Sequence, residues 1–218
     1  MLLKERYAAI LSYFETNVPV AETELHYTNP FELLVAVALS AQCTDKRVNM
    51  VTPALFNAYP TADAMAMASA EDIFVYIRSI NFPLNKSKHL ATMARQLVND
   101  FNSTVPSTID ELVTLQGVGR KTANVIASVI FNQPTMAVDT HVFRVSARLG
   151  LTTLTAKTPL AAELQLIKHI PKALVPRAHH WLILHGRYTC VARTPKCVDC
   201  ALTQWCKYYA KQTKLNNV

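Results

Sequence analysis

The sequence predicts an all-α fold on three observations. Apolar residues recur at helical spacing in run after run, no alternating stretch bounded by hairpin turns occurs, and proline and Ser/Thr groups fall between the runs. Residues 1–17 (MLLKERYAAILSYFETN) form a short amphipathic helix of mixed charge. Residues 31–43 (FELLVAVALSAQC) are apolar and long enough for a buried helix. In 71–80, Ile73, Ile77 and Ile80 share one face, and in 88–101 so do Leu90, Met93, Leu97 and Phe101. The stretch 173–188 starts a helix near Pro176, a residue suited to a first helical turn. The segments 103–107 (STVPS) and 155–159 (TAKTP) are breaks.

The chain has 218 residues, 50% apolar and 17% charged, which suits one or two compact units and excludes a disordered chain. Its net charge is +7, with a pI of about 9.2. A basic unit of this size fits a polyanion such as nucleic acid, or a solvated basic surface with no partner. No stretch reaches the roughly 20 apolar residues that cross a bilayer. The N-terminus lacks the features of a secretory signal, and Glu5 and Glu15 oppose a transit peptide, so an intracellular, cytoplasmic protein is expected.

Glycine is scarce, and two of the four glycines sit in one segment, IDELVTLQGVGRKTANVIASVIF (109–131). An apolar stretch ends at Leu115, Gln116-Gly117-Val118-Gly119 follows, and Ala123, Ile126, Ala127 and Ile130 then mark a second helix. This is a helix–hairpin–helix pattern. Its glycines permit positive φ and close approach, and the first amides of the second helix make an anion site. An ordinary αα-turn is the plainer alternative. Lys121 follows Arg120 at that terminus. Partial burial, the neighbouring cation and the helix dipole would favour its neutral amine, the form that attacks carbon; a second phosphate-binding cation is the other reading. Asp139 stands where a helix with Val142, Val145 and Leu149 on one side begins. The local sequence makes it an N-cap, a position that keeps a carboxylate ionised and fit for electrostatic or base work.

Four of the five cysteines crowd the end of the chain as Cys190-x6-Cys197-x2-Cys200-x5-Cys206. Four thiolates at these separations suit structural zinc or an iron–sulfur cluster, and spacing alone leaves both open. The odd count argues against disulfides, and Cys43 reads as a small buried hydrophobe.

Together LQGVGRKTANV, AVDTHVFRV, HHWLILHGRYTC and the cysteine spacing resemble the endonuclease III family of DNA glycosylases, from about residue 5 to about residue 210. The resemblance implies a two-lobed all-α fold: a six-helix lobe over 23–135 carrying the hairpin, and a lobe of 1–22 with 136–218 carrying a [4Fe–4S] cluster on Cys190, Cys197, Cys200 and Cys206. It implies a monomer that binds double-stranded DNA with damaged pyrimidines or abasic sites, and flips the target nucleotide into a cleft flanked by Lys121 and Asp139. Lys121 would attack C1′, Asp139 would assist, and β-elimination would cut the strand. Gly117, Val118 and Gly119 would hold a phosphate through their amides, Gln42 would fill the gap left by the flipped nucleotide, and Arg193 and Lys196 would contact DNA.

The sequence departs from that pattern in two places. Gln116 replaces the usual hairpin proline, which should loosen the turn. The wedge loop 80–86 gains Pro83 and has Asn81 for glycine; Asn81 tolerates positive φ, and the wedge is Phe82 or Leu84. The competing readings are an adenine glycosylase of the same superfamily and a non-catalytic helix–hairpin–helix DNA-binding protein. The first is opposed by Lys121 and by the mere twelve residues after Cys206, the second by the joint presence of Lys121 and Asp139.

Overall fold

The structure is a computed structural model and describes residues 1–216, with side chains through residue 213. Among the described residues every regular element is helical. In chain order the α-helices are α1 (Leu3–Asn17), α2 (Pro30–Leu39), α3 (Asp45–Ala58), α4 (Ala62–Ala66), α5 (Ala70–Ile77), α6 (Pro83–Phe101), α7 (Ile109–Leu112), α8 (Arg120–Val129), α9 (Thr140–Leu149), α10 (Pro159–His169), α11 (Val175–Tyr188) and α12 (Lys207–Asn216). Two 3₁₀ turns lie at Lys172–Leu174 and Thr203–Trp205. No helix is long and apolar enough to cross a membrane among the described residues.

The chain divides into two compact units: residues 24–132, and residues 1–23 with 133–218. In the first, α2 is apolar after its first turn, and Leu33, Leu34, Val35 and Ala36 are wholly buried. Asn29 starts α2 by accepting the Glu32 amide at 3.0 Å, with Pro30 next to it. The helix stops at Leu39 and does not run to residue 43 as the apolar stretch suggests, because Gln42 takes a φ of 55° that no α-helix contains. Helix α6 packs on α4 and α5 through Leu90, Met93 and Leu97; Phe101 is only half-buried. Helix α8 packs on α2 with Ala123, Ile126 and Ala127 facing inward.

In the second unit the core joins Tyr7, Ile10, Leu11 and Phe14 of α1 to Val142, Val145 and Leu149 of α9 and Trp181 of α11. Phe14 stacks on Trp181 at 5.5 Å, and the indole N–H donates to the Val18 carbonyl at 2.7 Å. Gly186 lets α11 approach α9, since a β-carbon there would stand 2.9 Å from His141 Cβ.

Candidate functional site

The hairpin between α7 and α8 is built on a tight turn. The Val118 N–H donates to the Leu115 carbonyl at 3.0 Å, and Gly117 has a φ of +81°. An i to i+3 bond with positive φ at the third residue marks a type II turn, which needs glycine there and favours proline just before it. Packing fixes the same glycine, since a β-carbon on Gly117 would come within 3.1 Å of His89 Cβ. The turn corrects the role expected of Val118. Its amide is spent inside the turn and its side chain is buried, so it anchors the hairpin and offers no N–H to a phosphate.

Gln116 occupies the proline position without loosening the turn as expected. Its N–H, which proline would lack, donates to Gln96 Oε1 of α6 at 2.7 Å, while Gln96 Nε2 donates to the Thr114 carbonyl at 3.1 Å. One buttressing amide thus holds both strands of the turn. Gly119 caps α8 with no side-chain hydrogen bond, and a β-carbon there would meet open space.

Lys121 is the second residue of α8. It is exposed and not partly buried as expected, because Ala123, Ile126 and Ala127 take the inward positions of that helix. In the other unit Asp139 is the N-cap of α9. Its Oδ1 accepts the amides of His141 and Val142, both at 2.8 Å, and its Oδ2 lies 2.9 Å from His141 Nδ1. These contacts hold the carboxylate, which remains partly accessible, with 17% of its side chain exposed.

All four C-terminal cysteines line one hollow, together with Leu149, His185, Tyr208 and Tyr209. Burial pushes the thiols of Cys197, Cys200 and Cys206 up. Among the described residues no three His, Cys, Asp or Glu side chains draw close enough to hold one metal ion. Four thiols around a single hollow are the donor set of a zinc or an iron–sulfur centre. Arg148 braces this region: Nη1 donates to the Val191 carbonyl at 2.8 Å and lies 3.4 Å from Cys190 Sγ, and Nη2 donates to the Ala192 carbonyl at 2.7 Å. Arg193 and Lys196 are exposed on the loop so held.

Residues 35–172 match the HhH-GPD superfamily of base excision DNA repair proteins. Endonuclease III of Rickettsia felis is 45% identical over 200 residues, which cover 92% of this chain and 93% of that protein. Endonuclease III of Escherichia coli is 41% identical over 208 residues, 95% of this chain and 98% of that one. A solved structure of a trapped endonuclease III–DNA covalent intermediate superposes with a TM-score of 0.91, at 43% identity, over 98% of this chain and all of that one. The chain belongs to the endonuclease III family of the HhH-GPD superfamily.

Within this family member, the sequence left several positions unread. The expected positive φ at Asn81 falls one residue later: Phe82 has φ 56° and ψ 48°, and Pro83 starts α6 directly after it. Proline at a first helical position fixes where the helix begins, so the turn must be made by the residue before it. Asn81 instead uses its side chain, which donates to the Gln42 carbonyl. Cys43 is half-buried and not enclosed. Gln96, Lys86 and Arg148 act through distant backbone carbonyls, which no local pattern announces.

Proposed function

We propose that the chain is a bifunctional DNA glycosylase and AP lyase of base excision repair. It excises oxidised pyrimidines from duplex DNA and cuts the strand by β-elimination. The observation that carries this reading is the hairpin: an exposed amine, Lys121, stands one residue inside a helix whose N-terminus has no side-chain cap. The amides of such a terminus, which lack intrahelical acceptors, and the helix dipole draw a phosphate, which brings a sugar beside the amine. Gly117 and Gly119 give the backbone its close approach, while Arg193 and Lys196 add phosphate contacts.

The target nucleotide leaves the stack, since C1′ is inaccessible within it. As the bond from C1′ to the base breaks, the base departs with the electron pair and the Asp139 carboxylate stabilises the positive charge growing on the sugar. The Lys121 Nζ lone pair closes on C1′, the nitrogen loses a proton, and the C1′–O4′ bond breaks with O4′ taking a proton, which leaves an imine. Removal of a C2′ proton then expels the 3′ phosphate and cuts the strand. Asp139 keeps its capping bonds throughout, because its amide partners hold the carboxylate without neutralising it. Gln42 fills the vacated space in the duplex.

Cys190, Cys197, Cys200 and Cys206 hold a [4Fe–4S] cluster, supported by their shared hollow and by the family's spacing. Bound there, the cluster supplies a cross-link for the C-terminal loop and a redox centre, with no part in bond breaking. Anaerobically purified protein should be yellow-brown with about four irons and four sulfides per chain; stoichiometric zinc without sulfide overturns this assignment. Borohydride should trap the protein on a duplex carrying thymine glycol or an abasic site, and absence of any trapped complex rejects the lyase reading. Changing Arg193 and Lys196 to alanine should lower the salt slope of duplex binding by roughly one to two units.

A further inference from the structure

Five non-glycine residues of the unit 24–132 take positive φ, Asn102, Ser103 and Asn132 among them, and the other two lie in turns that are bridged to each other. Gln42, after α2, has φ 55°, and Phe82, before α6, has φ 56°. Neither is glycine, and an L-residue persists in this conformation only where its surroundings fix it. Both side chains are exposed, the Phe82 ring at 58%. The molecule therefore displays an amide and an aromatic ring from two conformations that must be enforced.

Three side chains link the segments that carry these two turns, and one of them, Asn81, joins the turns directly. The Asn81 side-chain amide donates to the Gln42 carbonyl. The Lys86 ammonium donates to the carbonyls of Leu39 at 2.8 Å and Ala41 at 2.7 Å. The Arg47 guanidinium, on α3, donates to the Ser79 carbonyl at 3.1 Å. Lys86 is 9% exposed, and burial pushes its pKa down. It sits near the start of α6, the wrong end of its own helix for a cation. It is paired instead with the carbonyl of Leu39, the last residue of α2, and with that of Ala41 just beyond it, the correct end of a neighbouring helix for a cation. A buried ammonium is costly unless its donors are satisfied. Its placement here makes sense as a bolt across the two turns.

We propose that Asn81 and Lys86 are positioning residues that lock the Gln42 turn and the Phe82 turn into one two-pronged tool. The amide and the ring then enter the duplex in fixed register: Gln42 fills the gap, and Phe82, not Leu84, is the wedge. Leu84 is exposed but belongs to the first turn of α6 and shares none of the bridges. Asn81 has a role that glycine could not perform, since the bridge requires a side-chain donor. This inference rests on the reading that Gln42 enters the duplex.

The test compares two substrates. One is a duplex carrying thymine glycol, read by excision rate. The other is a single-stranded oligonucleotide with an abasic site, read by borohydride trapping, where there is no opposite strand to fill or wedge. Asn81→Ala, Lys86→Met, Gln42→Ala, Phe82→Ala and Leu84→Ala are measured on both, with the double variant Gln42→Ala/Asn81→Ala. Asn81→Ala and Lys86→Met should slow the duplex reaction about tenfold and leave the single-strand reaction within roughly twofold. Asn81 is exposed, so its variant keeps the test alive if Lys86→Met fails to fold. Once Gln42 is gone its register no longer matters, so the double variant should be little slower than Gln42→Ala alone. Phe82→Ala should show the duplex-specific loss and Leu84→Ala should not. Equal losses on both substrates, or multiplicative losses in the double variant, overturn the coupling, and a duplex-specific loss in Leu84→Ala alone overturns the choice of wedge. If Gln42→Ala shows no duplex-specific loss, the gap-filling reading fails and the proposal with it. If Gln42→Ala shows that loss while Asn81→Ala and Lys86→Met match the wild type, the coupling alone fails.

Discussion

The N-termini of α8 and α9 begin alike and are finished in opposite ways. Each helix starts with amides that have no partner inside the helix. At α9 the Asp139 carboxylate takes two of them, as side chains of Asn29, Thr44, Thr61, Ser69, Thr108 and Thr158 do on a smaller scale at α2, α3, α4, α5, α7 and α10. At α8 the cap is Gly119, which has no side chain to give. A closed terminus keeps its negative charge in the protein, where it is fixed and always present. A terminus without a side-chain cap leaves room for negative charge from outside. The two ends of the proposed reaction follow from this choice, a held anion to steady a cationic sugar and a vacancy to bring the sugar in.

The largest expected effect comes from removing the amine beside the vacancy. Lys121→Ala should abolish borohydride trapping and most base excision while leaving duplex affinity near that of the wild type, because the helix amides remain. A full level of trapped complex would assign the nucleophile to another amine. Asp139 separates its two duties through a pair of variants. Asp139→Asn keeps a side chain that caps well but has no charge, and should slow excision by about 10²-fold with little loss of stability. Asp139→Ala should slow excision as much and also cost about 1 kcal/mol in thermal unfolding. Equal excision by Asp139→Asn and wild type would reduce this residue to a cap.

The comparison can also be inverted. Gly119→Asp would give α8 the finish that α9 has. Its φ of −91° is ordinary and the added β-carbon meets open space, so the fold should tolerate it and gain a few tenths of a kcal/mol. Duplex affinity should fall by roughly tenfold or more, as the new carboxylate occupies the phosphate's place. Undiminished binding would show that no phosphate uses this terminus. The smallest effect belongs to the buttress of the hairpin. Gln96→Ala should weaken duplex binding a few-fold, and adding Gln116→Pro should restore it, since proline presets the turn and removes the donor that Gln96 served. A double variant weaker than Gln96→Ala would mean that the buttress does more than hold this turn.

Much of this contrast was legible in the sequence, because caps and tight turns are local chemistry. Asp139 before an apolar-sided helix, and Gly117 in a turn between two helical runs, are each specified by near neighbours. The burial of Ile73, Ile77, Leu90, Met93 and Leu97 followed from periodicity in the same way. The misreadings have separate causes: the inward positions of α8 leave Lys121 outside, the tight turn spends the Val118 amide on Leu115, and Pro83 fixes the helix start so that Phe82 takes the left-handed conformation. Gln96 reaches the hairpin across twenty residues and Lys86 reaches Leu39 across 47, and in the sequence both look like ordinary polar positions on a helix.

The division of the chain also has a consequence for its synthesis. Residues 24–132 are contiguous, so this unit, with Lys121 and the hairpin, has all its parts as soon as they leave the ribosome. The other unit needs its first 23 residues and the stretch after 133 together. In its core Tyr7, Phe14 and Trp181 meet, so α1, though made first, waits for α11, made nearly last. Translation thus completes the half that bears the amine well before the half that bears Asp139. A nascent chain halted between them would carry a finished hairpin and an N-terminal helix whose apolar face is still exposed, the state in which such a chain most needs a chaperone.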